Sequence, residues 1–538
     1  MGRGANSRLA EVARASVEGG FFLSVGTTLS LVILGVGSIV IARLLGSSGY
    51  GLYRLSLTIP TLMTFLVIFG IDTALMNFTA RLRAEGKPGL AVRFVRAGLA
   101  LRVMAGALAS LACLALSDLI ATWVLSRPGL GPLIRVASLA ILFQAMMMSS
   151  NAALVGLDRA DRNAIVRNVE AVGKTGASIL LVLVGLSALG PVLGHLIGSV
   201  MAGLTALVFV LAEAHRLKKL AEAQAGPAAQ DEGPGLRHVL ASMVGYGWPV
   251  YVSSLLLMAV GQYQLILLSS FVSDAEIGNY SAASNFLLLM NTVSTSMTIA
   301  LLPAFSKLDS SSSLREIRCF FRLAVKYSSM LVVPASVLMA SLSDELIYVV
   351  YGPGYDVASL FLALLMLIPL TAGLGSLVIT SFFNGVGETK TTMKVFLVNT
   401  LIFLPLSLLL TRAYGTVGMI VASAASSLVS ALYGLSAAWR GFGAKPDLSC
   451  SAKVYMASAL SALPVLVLKS WLQAPALITL VACGLVYLLA YTVLSPLLGV
   501  IDGPDLDNLS AVLGGLGPLG LPLRLIIEFE RKLLLWKS

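Results

Sequence analysis

Long apolar stretches separated by short polar segments recur along the whole chain. A helix that crosses a membrane needs about 20 mostly apolar residues. Stretches of that kind lie near 21–42, 54–76, 99–125, 131–155, 168–189, 191–213, 241–270, 276–304, 320–343, 357–381, 393–411, 415–437, 453–470 and 474–496. The pattern predicts an all-α polytopic membrane protein with about fourteen transmembrane helices.

The polar segments divide this series of helices into parts. The segment 214–240 carries the Pro, Gly and charge content of a linker and separates two predicted six-helix lobes. The predicted parts are a cytoplasmic N-terminal segment at 1–20, the lobes at 21–213 and 241–437, helices 13 and 14 at 453–496, and a cytoplasmic amphipathic tail at 497–538.

Composition and charge agree with a membrane protein. Of the 538 residues 57% are hydrophobic and 12% charged, the mean hydropathy is +0.90, and the net charge is +11. With the N-terminus in the cytoplasm, most of the 37 lysines and arginines fall in inward-facing segments. This asymmetry predicts a multi-pass protein of the cell membrane with both termini cytoplasmic. Because the basic residues are spread between apolar stretches, no nucleic-acid partner is expected.

Two short motifs occur once in each predicted lobe. LGSSGYGLY (45–53) and VSDAEIGNY (272–280) both follow the first helix of their lobe and end in Gly-x-Tyr. The segments after each fourth helix align Gly156 with Gly385 at nearly the same offset. These correspondences predict a parallel repeat of two lobes around a central cleft, which is an architecture suited to alternating access.

The sequence around these motifs resembles a known family. The resemblance lies in ARLLGSSGYGLYRLSLTIP (42–60), in 247–286, in YGPGYDVASLFLALLML (351–367), in FFNGVGETKTTMKVFLVN (382–399) and in AYGTVGMIVASAAS (413–426). It is a resemblance to the oligosaccharide flippases of the multidrug/oligosaccharidyl-lipid/polysaccharide exporter superfamily. It implies two six-helix lobes in a V shape and transfer of polyprenyl-linked oligosaccharides from the inner to the outer leaflet.

Three charged residues in or beside the apolar stretches are candidates for the transport path. Arg43 and Arg54 lie near the predicted outer face, where they could contact a substrate phosphate or extend to lipid head groups. Asp72 lies in the second predicted helix, where it could bind a coupling cation or pair with an inner-loop arginine such as Arg81.

Four amides are candidates for contacts with sugar hydroxyls. They are Gln262 and Gln264 on the seventh predicted helix and Asn285 and Asn291 on the eighth. Hydrogen bonds between packed helices are the alternative role for such residues. Family members often carry an acidic residue at the position of Gln264, so the resemblance does not extend to ion coupling by this helix.

No catalytic group, cofactor or metal is predicted. The three histidines and four cysteines have no metal-ligand spacing, and no nucleophile–base pair stands out. We therefore expect a non-enzymatic monomer whose partners are its lipid-linked oligosaccharide substrate, membrane lipids and glycan assembly enzymes. Two alternatives remain: a cation-coupled exporter of drugs or metabolites from the same superfamily, and a non-transporting membrane subunit of a glycan assembly complex.

Overall fold

The computed structural model describes residues 2–68, 70–225, 235–307, 314–514 and 527–534. Within these ranges the regular structure is helical and contains no β-strand, which confirms the all-α prediction. The helices are α1 (Gly2–Leu66), α2 (Ile71–Ala84), α3 (Pro88–Ala115), α4 (Ser117–Leu119), α5 (Gly131–Gly156), α6 (Ala160–Leu183), α7 (Leu189–Ala225), α8 (Leu236–Phe271), α9 (Asp274–Lys307), α10 (Leu314–Ser341), α11 (Ser343–Tyr351), α12 (Ala358–Leu365), α13 (Ser376–Gly385), α14 (Thr389–Phe442), α15 (Leu448–Trp471), α16 (Ala476–Leu497) and α17 (Gly503–Gly514). Residues 527–534 form a further helical segment.

Many of these helices are long and apolar enough to cross a membrane. In the described ranges there are 8 such helices, or 9 if the pair Ala358–Leu374 and Ser376–Gly385, bent by 47°, is one span. Two of the 8 are far longer than a bilayer requires, because Val25–Leu66 has 42 residues and Thr389–Phe442 has 54. Thr389–Phe442 contains the predicted spans 393–411 and 415–437, and Val25–Leu66 contains most of 21–42 and the first part of 54–76. The polytopic class is confirmed, and the number fourteen stays a prediction.

Single glycines separate the two spans inside each of these long helices. Gly46 has a φ of +66° and Gly415 a φ of +57°, whereas the residues around them are helical. Only glycine adopts such angles without a steric penalty. The segment 45–53, which lies between two predicted spans, is therefore helical apart from Gly46.

The second predicted span, 54–76, is not continuous. Helix α1 ends at Leu66 and α2 begins at Ile71, with Gly70 in the left-handed region at a φ of +70°. The hydropathy of the stretch is uniform, so the pattern alone predicts no break there. The interruption leaves backbone carbonyl groups of α1 without their helical donors.

The described residues divide into two compact units, 1–278 and 279–538. The first contains α1 to α8 and the beginning of α9, and the second contains the rest of α9 and all later helices. The lobe boundaries at 21–213 and 241–437, and the repeat that relates them, stay predictions. Residues 226–234 of the predicted linker, and 515–526 and 535–538 of the predicted tail, lie outside the described residues.

Within the first unit, glycines allow helix backbones to approach closely. A Cβ at Gly51 would overlap the carbonyl oxygen of Asp274, and one at Gly278 would overlap the carbonyl oxygen of Ser47. The first turn of α9 thus packs directly on α1, and the two Gly-x-Tyr motifs bring their glycines together. Small residues at such crossings are typical of helix packing in membranes.

Candidate functional site

A charged pair lies in the interior of the first unit. Arg102 of α3 is 0% exposed, and its Nε lies 3.3 Å from Oδ1 of Asp72 in α2. Its Nη2 donates to Asp72 Oδ2 at 3.3 Å, and its Nε donates to the hydroxyl of Ser149 in α5 at 3.0 Å. Ser149 donates in turn to Asp72 Oδ1 at 2.8 Å. Three helices are therefore joined by one closed set of polar contacts, which we call the charged triad (Asp72, Arg102 and Ser149).

The positions of these side chains follow from local sequence. Asp72 lies in the first turn of α2, directly after the break at Gly70, where the free amide groups of a helix start favour a negative charge. Arg102 follows Val95 and Gly98 on a buried stripe of α3 with helical spacing. At 1.5 Å per residue it lies about 21 Å along the axis from Pro88.

One donor of the triad is unused. Arg102 Nη1 is buried and has no hydrogen-bond partner within the described residues. A buried donor that lacks a partner costs free energy, more so on a charged group. The guanidinium is therefore held by Asp72 and Ser149 but retains capacity for a further acceptor, and a phosphate oxygen is an acceptor that arginine binds well.

A second polar network lies between α1, α5 and α7. The hydroxyl of Thr64 donates to Gln144 Oε1 at 3.2 Å, and Gln144 Nε2 lies 3.2 Å from His195 Nε2. His195 is 6% exposed, and its Nδ1 has no partner in the described part of the chain. These bonds tie Gln144 into the packing of α1, α5 and α7.

The broken helix is completed by α8. The hydroxyl of Tyr251 donates to the Leu66 carbonyl oxygen at 2.6 Å, so it satisfies an acceptor that the interruption leaves free. Close to this bond, a Cβ at either Gly70 or Gly247 would overlap the backbone of the other residue. Helix α8 therefore contacts the backbone of the break directly, next to the charged triad.

A buried carboxylate in the second half of α7 forms ion pairs with three arginines. Glu213 is 5% exposed and forms ion pairs with Arg162 at 3.2 Å, Arg216 at 3.2 Å and Arg159 at 3.6 Å. Arg162 also donates to the carbonyl oxygen of Phe209 and lies over its ring. The cluster anchors the turn between α5 and α6 to α7, so we interpret it as structural.

The predicted charged residues have different surroundings. Arg43 is exposed on α1, whereas Arg54 is half-buried and its Nε has no partner among the described residues. Asp72 does form the ion pair expected as one alternative, but its partner is Arg102. Arg81 pairs with Glu85 at 2.8 Å instead, and hydrogen bonds from Arg81 and Lys87 lower the pKa of the Glu85 carboxyl.

The four predicted amides fall in both units. Gln262 and Gln264 are half-buried on α8, in the first unit, whereas Asn285 and Asn291 lie on α9 in the second. Asn285 donates to the hydroxyl of Tyr351 at 3.0 Å, which is a contact between helices. Asn291 is exposed. Their role in binding sugars stays a prediction.

Arg102 is not among the residues predicted from the sequence, because it lies near the inward-facing start of the third predicted span, where basic residues are expected. A signal was present, because Arg102 continues through Gly106 and Ser110 a stripe of small residues spaced three or four apart. An arginine on such a stripe faces other helices and requires an acidic partner. No group of three or more His, Cys, Asp or Glu residues in the described ranges could hold a metal ion.

Comparison with known proteins identifies the fold. The chain is similar to the lipid II flippase MurJ in an inward closed conformation, with a TM-score of 0.67 and 16% identity over 88% of this chain and 99% of that one. It is also similar to an inward-facing multidrug resistance MATE family transporter of the MOP superfamily (TM-score 0.60, 15% identity, 76% of this chain and 94% of that chain). A MOP superfamily transporter from Pyrococcus furiosus gives 0.51 at 16% identity, over 80% and 95% of the two chains.

Sequence comparison adds the family. No curated protein matches the chain by sequence. The family model described as polysaccharide biosynthesis protein matches residues 40–360, which is more than half of the chain. The chain belongs to the polysaccharide biosynthesis protein family.

Proposed function

We propose that this protein moves a polyprenyl-linked oligosaccharide from the inner to the outer leaflet of the cell membrane by alternating access of two lobes, with both termini in the cytoplasm. The family match supports a substrate from polysaccharide biosynthesis. The fold is shared with a lipid II flippase. The observation that carries the proposal is the charged triad, because it places a guanidinium with a free donor inside an apolar helix bundle.

The substrate explains why such a residue is needed. A sugar hydroxyl that loses its hydrogen bonds costs about 4–8 kcal/mol on transfer from water to a hydrocarbon. A phosphate that carries a full charge costs more, so a transporter must provide cations along the path. In this proposal Arg102 supplies one such cation, and Arg43 and Arg54 supply others toward the outer face.

Asp72 controls when Arg102 is available. While both side chains are charged, Asp72 accepts a hydrogen bond from Nη2, lies 3.3 Å from Nε and shields the charge of the guanidinium. A proton or metal cation on Asp72 removes that competition, so it leaves the guanidinium to a phosphate. Gln262, Gln264, Asn285 and Asn291 are assigned to the sugar hydroxyls, which need neutral donors and acceptors.

A head-group accessibility assay in liposomes tests the proposal. The substrate is a fluorescent polyprenyl-pyrophosphate oligosaccharide, and a reagent that cannot cross the membrane scores its outward-facing fraction. We expect vesicles with the protein to expose the label of both leaflets, whereas empty vesicles expose about half of it. If only half reacts while a cationic dye follows a proton or sodium gradient, the exporter of drugs or metabolites is the correct function.

Variants then assign the residues. Arg43→Ala and Arg54→Ala should each slow flipping, because each removes a cation from the proposed path. The double variant Asp72→Leu/Arg102→Met removes both charges of the triad together, which avoids a lone buried charge. It should fold but not flip, and Arg96→Met, an exposed arginine on the same helix, should flip normally. Normal flipping by the double variant would exclude Arg102 from the path.

A further inference from the structure

The second unit contains a polar cavity of about 450 Å³ that the candidate site does not use. It is formed by α11, the turn that follows it, and the facing ends of α15 and α16. Its polar lining is Asp344, Glu345, Tyr348, Asp356, Ser359, Lys469 and Thr479. The volume lies within the range of about 300–1,000 Å³ that is typical of small-molecule sites.

One wall of this cavity is formed by the segment 351–367, which is one of the segments that carry the family resemblance. Gly352 and Gly354 have positive φ values of +80° and +91°, which close the turn after α11. The rings of Tyr351 and Tyr355 lie 5.3 Å apart between their centroids, and Asn279 Oδ1 accepts the backbone amide of Ala358 at 2.9 Å. The cavity is therefore formed before any ligand binds.

The cavity contains three carboxylates and one ammonium group. Lys469 Nζ lies 2.9 Å from Asp344 Oδ2 and 3.1 Å from Glu345 Oε2, so one ammonium group joins two carboxylates. Hydrogen bonding to Lys469 lowers the pKa of the Asp344 carboxyl, which keeps it an acceptor at neutral pH. Asp356 adds a third carboxylate, so an anionic ligand would be repelled.

The remaining groups fit a polyhydroxylated ligand. Glu345 is 8% exposed and lines the cavity beside Lys469. An ionised carboxylate has about four acceptor sites, so it can accept from a ligand hydroxyl as well as from Lys469. Fixed carboxylates accept hydrogen bonds from pairs of hydroxyls. Tyr348 is 57% exposed at the rim, and its ring offers a flat apolar face beside these acceptors. A sugar ring presents this combination, with hydroxyls at its edge and C–H groups on its face.

In the predicted topology the cavity lies on the side where a product would emerge. With the N-terminus in the cytoplasm, the segment 344–356 lies between the ninth and tenth predicted spans and faces outward. We propose that this cavity binds the saccharide head group on the outer face, with a preference for neutral and amino sugars over acidic ones. The ligand class rests on the proposed function, whereas the site itself rests on the geometry of the cavity.

Binding of lipid-free sugars tests the site separately from transport. The full chain in nanodiscs is incubated with an array of free oligosaccharides that covers neutral, amino and acidic sugars. We expect binding to neutral or amino sugars, and an affinity about tenfold lower for Tyr348→Ala and for Asp344→Asn, since tenfold corresponds to one good charged hydrogen bond or ring contact. Tyr414→Ala is the matched control, because Tyr414 is 68% exposed outside the cavity lining.

The outcomes separate the two proposals. Absence of binding, binding to acidic sugars alone, or binding that Tyr348→Ala leaves unchanged would overturn the head-group site. If the protein flips the glycolipid in liposomes and yet binds no free sugar, the proposed function stands and the site does not. If it binds neutral sugars through Tyr348 but flips nothing, the site stands and the flippase proposal fails.

Discussion

Separating the two charges of the triad should destabilise the protein more than removing both. We predict that Asp72→Leu is the most harmful single change, because it leaves Arg102 buried without a counter-charge. A guanidinium cannot release its proton in a protein. Arg102→Met should cost less, since Asp72 keeps its bond to Ser149, is 17% exposed at the side chain, and can take up a proton.

The contacts set the size of these effects. Breaking a buried ion pair by removing one partner costs about 3–5 kcal/mol. Arg102 is 0% exposed and already has one unused donor. We therefore expect Asp72→Leu to lower the free energy of unfolding by about 5 kcal/mol and Arg102→Met to lower it by about 3 kcal/mol. In Asp72→Leu/Arg102→Met, Ser149 still donates to the Ala145 carbonyl oxygen, so the double variant should be more stable than either single one.

The assay is denaturant unfolding of the detergent-solubilised protein, reported as a free energy of unfolding for the two single variants and the double variant. Arg96→Met serves as the control and should change that free energy by less than about 0.5 kcal/mol. If the single effects simply add in the double variant, the two side chains do not interact and the reasoning from the triad is wrong.

Two further predictions concern helix contacts and pH. Gly51→Ala should destabilise the packing of α9 on α1, because its methyl group would overlap the Asp274 carbonyl oxygen. Thermal unfolding should therefore show a lower midpoint temperature for Gly51→Ala than for the control Gly176→Ala, where the space around the added methyl group is open. Burial raises the pKa of the Glu530 carboxyl, which accepts from Ser495, to about 7. Since the folded carboxyl holds its proton more tightly than an unfolded one, docking of the helical segment 527–534 should be strongest below about pH 4.5 and weaken by about 3 kcal/mol as the pH rises to about 7. Hydrogen exchange of that segment should lose this pH dependence in Glu530→Gln but keep it in the exposed control Glu528→Gln. Equal pH profiles for the unmodified protein and both variants would contradict the role of Glu530.

The class of the fold could be predicted from hydropathy because a bilayer requires long apolar helices and little else along most of each span. The connections were harder. The apolar pattern places a connection near Gly46 and near Gly415, but it does not show that a single residue of positive φ joins the two helices in each case. The break at Gly70 also has no local signal, because the hydroxyl that satisfies the Leu66 carbonyl oxygen belongs to Tyr251, in a distant part of the chain.

The site was only partly predictable for a related reason. A single acidic residue in an apolar stretch, such as Asp72, can be recognised from the sequence, but its partner depends on which helices pack together. Arg102 lies on α3 and Ser149 on α5, and only the packing of α2, α3 and α5 brings them to Asp72. The roles of exposed candidates such as Arg43 and Asn291 depend on the transport experiments.

The contact between Gly70 and Gly247 has a consequence for how the sequence can vary. Each residue lies where a Cβ on the other would overlap backbone atoms. A larger residue at one position cannot be accommodated by a smaller one at the other, because glycine is already the smallest residue. Compensating substitutions, which are available to packed pairs of large side chains, are therefore not available at these two positions. Relatives that form this contact should carry glycine at both.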